Sequence, residues 1–261
     1  MIFERVLLTG AAGKVGSCLR AGLRDDLHEL RLSDLAPISV EAPSETDAPA
    51  DLRDFAAVCR AVDGVEAVVH LGGVPVERPF EEIAGPNLHG VFHVFEAARR
   101  AGVRRVVFAS SNHATGFYPT SQRLTGSEPV RPDGLYGASK AYGEALGRMY
   151  ADRFGLEVIS VRIGSMTGGE PTEPRQLCTW LSPGDAVRLF AACLTARDVG
   201  YAVVYGASAN TRGWWDLGPA RALGYEPRDN AEDYAAQVGE GDAGEPQGGP
   251  FAARDSGGWV V

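Results

Sequence analysis

The chain has 261 residues, 44% of them apolar and 23% charged, enough to bury one large core. A formal charge of −9 at pH 7 argues against a phosphate-tracking surface, so neither nucleic acid nor a membrane is an expected partner. Four scattered cysteines, Cys18, Cys59, Cys178 and Cys193, signal neither a disulfide framework nor a metal site. The first residues run straight into an apolar strand with no basic leader and no long apolar run, which predicts a cytoplasmic protein.

Short apolar runs then alternate with helical stretches. Residues 6–8 precede a helix over 15–23; residues 30–32 precede 55–62; residues 67–69 precede 87–99; residues 106–108 precede 136–154. Strands separated by crossover helices predict an α/β fold, a doubly wound parallel Rossmann sheet, with ligands beyond the carboxyl ends of its strands. A further strand at 158–163 leads into a Gly/Pro-rich stretch at 164–174, where the rhythm weakens. A single domain is expected, with residues 1–163 as the cofactor-binding core and 164–261 as a small C-terminal substrate-binding portion. The latter holds a helix at 183–195, a strand at 201–205, the segment Trp214-Trp215-Asp216 and a loose loop or tail at 239–250.

Glycines 10, 13 and 16, in Thr9-Gly10-Ala11-Ala12-Gly13-Lys14-Val15-Gly16, fall between the first strand and the first helix. In that context they let backbone approach a pyrophosphate at the helix N-terminus. Asp34 ends the second strand eighteen residues after Gly16, where a carboxylate accepts from a ribose 2′-hydroxyl and repels a 2′-phosphate, favouring NAD over NADP. Arg31 lies on the same strand but upstream of its tip.

Tyr136 and Lys140 stand four apart at the start of a helix and share a face. A neighbouring ammonium is expected to lower the phenol's pKa, so that Tyr136 can take a proton from a substrate hydroxyl as hydride leaves. Chance alone would put Y-x-x-x-K in roughly one chain in sixteen of this composition. Lysine is otherwise scarce: of 25 basic residues only Lys14 and Lys140 are lysine. After the fourth strand comes Ser110-Ser111-Asn112-His113, from which Ser111 is expected to bond the reacting oxygen; for His113, a structural role and a substrate contact are evenly matched.

In matching order, Thr9 to Gly16, Asp34, Asp51-Leu52, His70-Leu71-Gly72-Gly73, Asn87, Ser111 and Tyr136/Lys140 resemble the extended short-chain dehydrogenase/reductase family. The resemblance implies a cofactor site of Gly10, Gly13, Lys14, Val15, Gly16 and Asp34, with Asp51 and Leu52 at the adenine. It puts Leu71, Gly72, Gly73 and Asn87 along the middle of the cofactor, and Ser110, Tyr136, Lys140 and Ile163 at the nicotinamide. Segments 70–80 (HLGGVPVERPF), 108–119 (FASSNHATGFYP), 131–140 (RPDGLYGASK), 161–165 (VRIGS), 206–210 (GASAN) and 213–216 (GWWD) are most similar to the uronate-oxidising dehydrogenases of that family. That likeness implies oxidation of D-glucuronate or D-galacturonate at C1 to an aldarolactone with NAD. Ser111, Asn112, His113, Tyr136, Ser165 and Arg175 would then hold a small sugar acid, Arg175 gripping its carboxylate. The chain departs from its relatives at Pro75, where a serine is common, and in a loop from Ser165 to Arg175 that is one residue longer. A homo-oligomer is expected. The alternatives are a nucleotide-sugar epimerase or dehydratase, for which the 98 residues after Ile163 leave little room, and a non-catalytic NAD sensor, which would not need the Tyr136/Lys140 pair.

Overall fold

A computed structural model describes residues 2–252. Strands β1 (Arg5–Thr9), β2 (Glu29–Ser33), β3 (Glu45–Asp47), β4 (Ala67–His70), β5 (Arg105–Ser111), β6 (Glu157–Ile163) and β7 (Tyr201–Gly206) form one sheet in the order β3-β2-β1-β4-β5-β6-β7. Every neighbouring pair is parallel. The helices are α1 (Lys14–Leu23), α2 (Phe55–Val62), α3 (Phe80–Ile83), α4 (Gly90–Ala101), α5 (Leu135–Phe154), α6 (Gln176–Thr179), α7 (Pro183–Thr195), α8 (Gly218–Ala222) and α9 (Ala235–Val238).

The central strands are continuous apolar runs because both faces of the sheet are covered. Side chains alternate between those faces: Val6 and Leu8 of β1 join Leu19, Leu23, Leu189 and Phe190 under α1 and α7, while Leu7 joins Val58, Val94, Phe95 and Tyr150 under α2, α4 and α5. After β1 the chain builds outward through β2 and β3, then returns to place β4 on the other side of β1. That reversal opens a crevice at the carboxyl ends of β1 and β4.

Three departures from the sequence reading have physical causes. β3 is a polar edge strand whose Glu45 is buried by pairing with Arg20 at 2.7 Å, so it carries no apolar signal. The helical path predicted from residue 87 begins earlier, at Phe80, and passes through a wide π turn at Ala84–His89; Gly85-Pro86 reads as a breaker, yet the wide turn accommodates a proline without an amide hydrogen. The segment expected to be loose is anchored at its end. Gln247 is buried, its amide donating to the Tyr118 carbonyl and its side chain bonding Trp215, Pro119 and Gln122. β7 and α7 complete the doubly wound layer, so the residues after Ile163 supply both sheet and substrate-side loops. All four cysteines are free. Among the described residues no helix is long and apolar enough to cross a membrane.

Candidate active site

β1 feeds the glycine loop where the sheet order reverses. Gly10 has φ +68, a conformation that favours glycine, and a Cβ there would stand 2.8 Å from the Gly72 nitrogen. A Cβ on Gly16 would strike the Gly10 carbonyl, so glycine there lets α1 lie close beneath the loop. Gly13 begins α1 with no side-chain cap and no acid in the first turn, which leaves amides and a positive dipole end for an anion. Val15 packs on the core behind, and the Lys14 stem reaches across to Gly168 of the Gly/Pro-rich loop.

Asp34 is fixed beside this loop, accepting from the Ala12 amide at 3.0 Å and the Ala36 amide at 3.1 Å, with lone pairs to spare on both oxygens. Arg31 is engaged elsewhere, donating to Glu29 and to the carbonyls of Ala61 and Asp63. A glycine cradle with unpaired amides, next to a fixed carboxylate, fits NAD and is unsuited to a 2′-phosphate. Asp51 accepts from Arg53 through both oxygens, which holds its carboxyl below the usual range, and Leu52 packs against Gly72 and Gly90.

The loop after β4 is tied down from below. Leu71 donates to the Thr9 carbonyl and Gly72 to the Thr9 hydroxyl, while Gly73, at φ +137, sits against Asn87. The Asn87 amide is spent on Val74 (2.7 and 3.0 Å) and on the Ser139 hydroxyl (3.1 Å), so it braces the loop. Ser110 likewise points inward, donating to Glu144 at 2.5 Å within a buried network that includes Arg162. Both side chains are thus engaged within the protein.

Tyr136 and Lys140 rise from the first turns of α5. Lys140 is buried, its Nζ 5.6 Å from the Tyr136 ring centre and donating to the Ala109 carbonyl at 2.8 Å. Burial lowers this ammonium to about 8. The phenol does not follow the sequence expectation: burial pushes it up to about 12, the Ser111 hydroxyl opposing and the Asp133 carboxylate adding to the rise. The reason is geometric, since Nζ lies over the ring and spends a proton on Ala109. Ser111 ends β5 and accepts from the His113 amide at 3.2 Å.

Two sets of bonded side chains lie beyond Ser111. His113 Nδ1 bonds the buried Asp133 carboxylate at 2.7 Å, and its ring meets Tyr136 edge-on at 5.9 Å and Phe251 at 4.8 Å. Asn112, with its amide oriented to satisfy both neighbours, donates to the Ile163 carbonyl at 3.0 Å and accepts from Arg175 Nη2 at 2.9 Å. Arg175 also donates to Ser165 Oγ at 3.3 Å and, through Nε and Nη2, to the Gln247 carbonyl at 3.2 and 2.7 Å. Among the described residues it has no carboxylate in ion-pair contact, although it is largely removed from solvent and burial lowers its pKa. Ser165 is further held by Thr179 at 2.8 Å.

Sequence reasoning missed Asp133, Gln247, Trp214, Phe251 and Glu77. Asp133 and Glu77 lie inside the quoted motifs, but nothing local announces a partner 20 or 59 residues away. Trp214 lies 6.0 Å beneath the Arg175 guanidinium.

A glycine cradle at the switch point, a fixed carboxylate at the end of the second strand and a buried Tyr/Lys pair are the features of a dinucleotide-dependent oxidoreductase. The sequence model of the NAD-dependent epimerase/dehydratase family matches residues 6–203, and the chain belongs to that family. It is an NAD-dependent dehydrogenase. It is 50% identical to the uronate dehydrogenase of Pseudomonas putida over 237 residues, covering 90% of this chain and 88% of that one. The structure of uronate dehydrogenase from Agrobacterium tumefaciens superimposes with a TM-score of 0.91 at 46% identity, covering 97% of each chain. A tyrosine-to-alanine variant of that enzyme, complexed with NAD, gives 0.90 at 46% identity, over 95% of this chain and 97% of that one. The chain is also 42% identical to the NAD-dependent glucose-6-phosphate dehydrogenase of Haloferax volcanii, over 88% of this chain and 95% of that one.

Proposed function

We propose that this enzyme oxidises a hexuronate, D-glucuronate or D-galacturonate, at C1 to the aldarolactone. The observation that carries the reading is Arg175, a part-buried guanidinium held by Ser165, Asn112 and the Gln247 carbonyl with no carboxylate in ion-pair contact among the described residues. A part-buried cation with no ion-pair partner among the described residues favours an anion beside it, and a planar fork matches a carboxylate. Asp133 partly offsets the charge at Arg175, which suits a singly charged carboxylate better than a phosphate dianion. Likeness to the uronate dehydrogenases supports the same substrate.

With the carboxylate on Arg175, the opposite end of the sugar ring faces Tyr136. Ser111 orients the C1 hydroxyl, and His113, its Nδ1 taken by Asp133, offers Nε2 to a ring hydroxyl. NAD supplies the hydride acceptor when bound in the glycine cradle. Tyr136 takes the hydroxyl proton as the C1–H bond breaks, and C1 becomes a carbonyl. Burial lowers Lys140 to about 8, so that near this pH its amine can exchange a proton beside the phenol.

The test is product analysis. Glucuronate with NAD should yield one NADH and one lactone per turnover by absorbance and NMR, and UDP-glucose should be left unchanged. Interconversion of UDP-sugars without net NADH would instead identify an epimerase, and preferred use of glucose 6-phosphate would remove the carboxylate assignment.

A further inference from the structure

Glu77 lies in the segment HLGGVPVERPF, yet the chemistry above gives it no task. Its carboxylate accepts from the Leu135 amide through Oε1 and from the Tyr136 amide through Oε2, both at 2.9 Å. These are the first two residues of α5. The catalytic helix is thus capped by a side chain 58 and 59 residues away in sequence. Its own N-cap, Gly134, has no side chain to do so, and a Cβ there would collide with Glu77 Oε2, so a local cap and this remote one exclude each other.

Among the described residues Glu77 has no cation partner; the adjacent Arg78 pairs instead with Glu82 at 3.9 Å. Its charge is met by helix amides and the positive end of the helix dipole. Pro75 and Pro79 flank it symmetrically and restrict the backbone that presents it. A second stitch lies one turn further on: Asn87 holds Val74 and Ser139, and the Ser139 hydroxyl donates to the Tyr136 carbonyl at 2.7 Å. The loop bordering the cofactor is therefore fastened to the residue carrying the phenol on both its amide and its carbonyl side.

We infer that Glu77 is a positioning residue: it ties the start of the catalytic helix to the cofactor-side loop, so the Tyr136 phenol and the nicotinamide keep one separation. The inference rests on Tyr136 as the base. An error of about 1 Å in such a separation costs about a hundred-fold in rate. Gln offers one acceptor oxygen where Glu offers two, and Ala offers none.

The experiment is steady-state kinetics on Glu77→Gln and Glu77→Ala, alone and combined with Tyr136→Phe, together with NAD affinity and Tm. The expected result is kcat reduced about ten-fold in Glu77→Gln and about a hundred-fold in Glu77→Ala, with NAD affinity within two-fold of the parent. Neither change should further slow Tyr136→Phe, since both act through the same phenol. A lowered Tm with unchanged kcat well below that Tm would reduce Glu77 to a structural cap and overturn the inference, as would an equal fold-loss in the Tyr136→Phe background. Full activity in Tyr136→Phe alone would remove the reading on which the inference rests, and the inference with it. Because Gln is nearly isosteric, Glu77→Gln decides the matter even where Glu77→Ala fails to fold.

Discussion

The two halves of the active site are built from different materials. The half proposed to hold the dinucleotide uses main chain: the first amides of the helix after Gly13, close approaches that only Gly10 and Gly16 permit, and one carboxylate, Asp34. The half proposed to hold the sugar uses side chains already engaged, His113 with Asp133 and Arg175 with Ser165, Asn112 and the Gln247 carbonyl. Backbone recognition suits a ligand shared by a whole family, because it needs only a conformation. Side-chain recognition can be rewritten residue by residue, and here it centres on the part-buried positive charge of Arg175.

This contrast predicts that damage on the sugar side and at the base changes rate or substrate, while damage on the dinucleotide side changes cofactor choice. The largest effect should come from Tyr136→Phe, which removes the proton acceptor. Turnover is expected to fall by about 10³-fold with NAD affinity unchanged by fluorescence titration. Retention of more than a tenth of the activity would assign the base elsewhere.

The second effect is on pH. With burial bringing Lys140 to about 8, a proton relay that needs its neutral amine makes kcat/KM fall about ten-fold per pH unit below that value and level off above it. A flat profile between pH 6 and 9 would separate the proton transfer from this pair. Third, Asp34→Ala should cut the preference for NAD over NADP by about ten-fold, through loss of one charge-assisted hydrogen bond and one repulsion. An unchanged ratio would place cofactor choice outside Asp34.

The smallest effect concerns stability. Burial holds Lys140 to about 8 against an ordinary 10.5, so the folded chain resists charging. The sign follows: the penalty is present below about 8 and fades as pH rises toward 10.5. Lys140→Met should therefore be inactive yet raise Tm by ~3 °C at pH 7, with that gain shrinking between pH 8 and 10.5 and gone above ~11. A lower Tm at pH 7 would mean that the bond to Ala109 outweighs the buried charge.

The same contrast explains what the sequence disclosed. The sheet, its helices and the glycine loop were legible because local pattern dictates them: continuous apolar strands, helical periodicity, and glycine where φ is positive. β3 was not, because the stability of that polar edge strand comes from the Arg20–Glu45 pair. On the sugar side the residue types were readable but their partners were not. Nothing near His113 points to Asp133, and nothing near Arg175 points to the Gln247 carbonyl 72 residues on. The phenol's raised pKa was also hidden, since spacing placed Lys140 near Tyr136 but could not show Nζ lying over the ring.

The most direct test of the central claim is the ratio of kcat/KM for glucuronate to that for glucose, measured with NAD for the parent enzyme and for Arg175→Ala. A part-buried guanidinium that receives the carboxylate predicts a ratio above about a hundred in the parent, collapsing to within a few-fold of one in the variant. A parent ratio near one, or a ratio the substitution leaves intact, would contradict it.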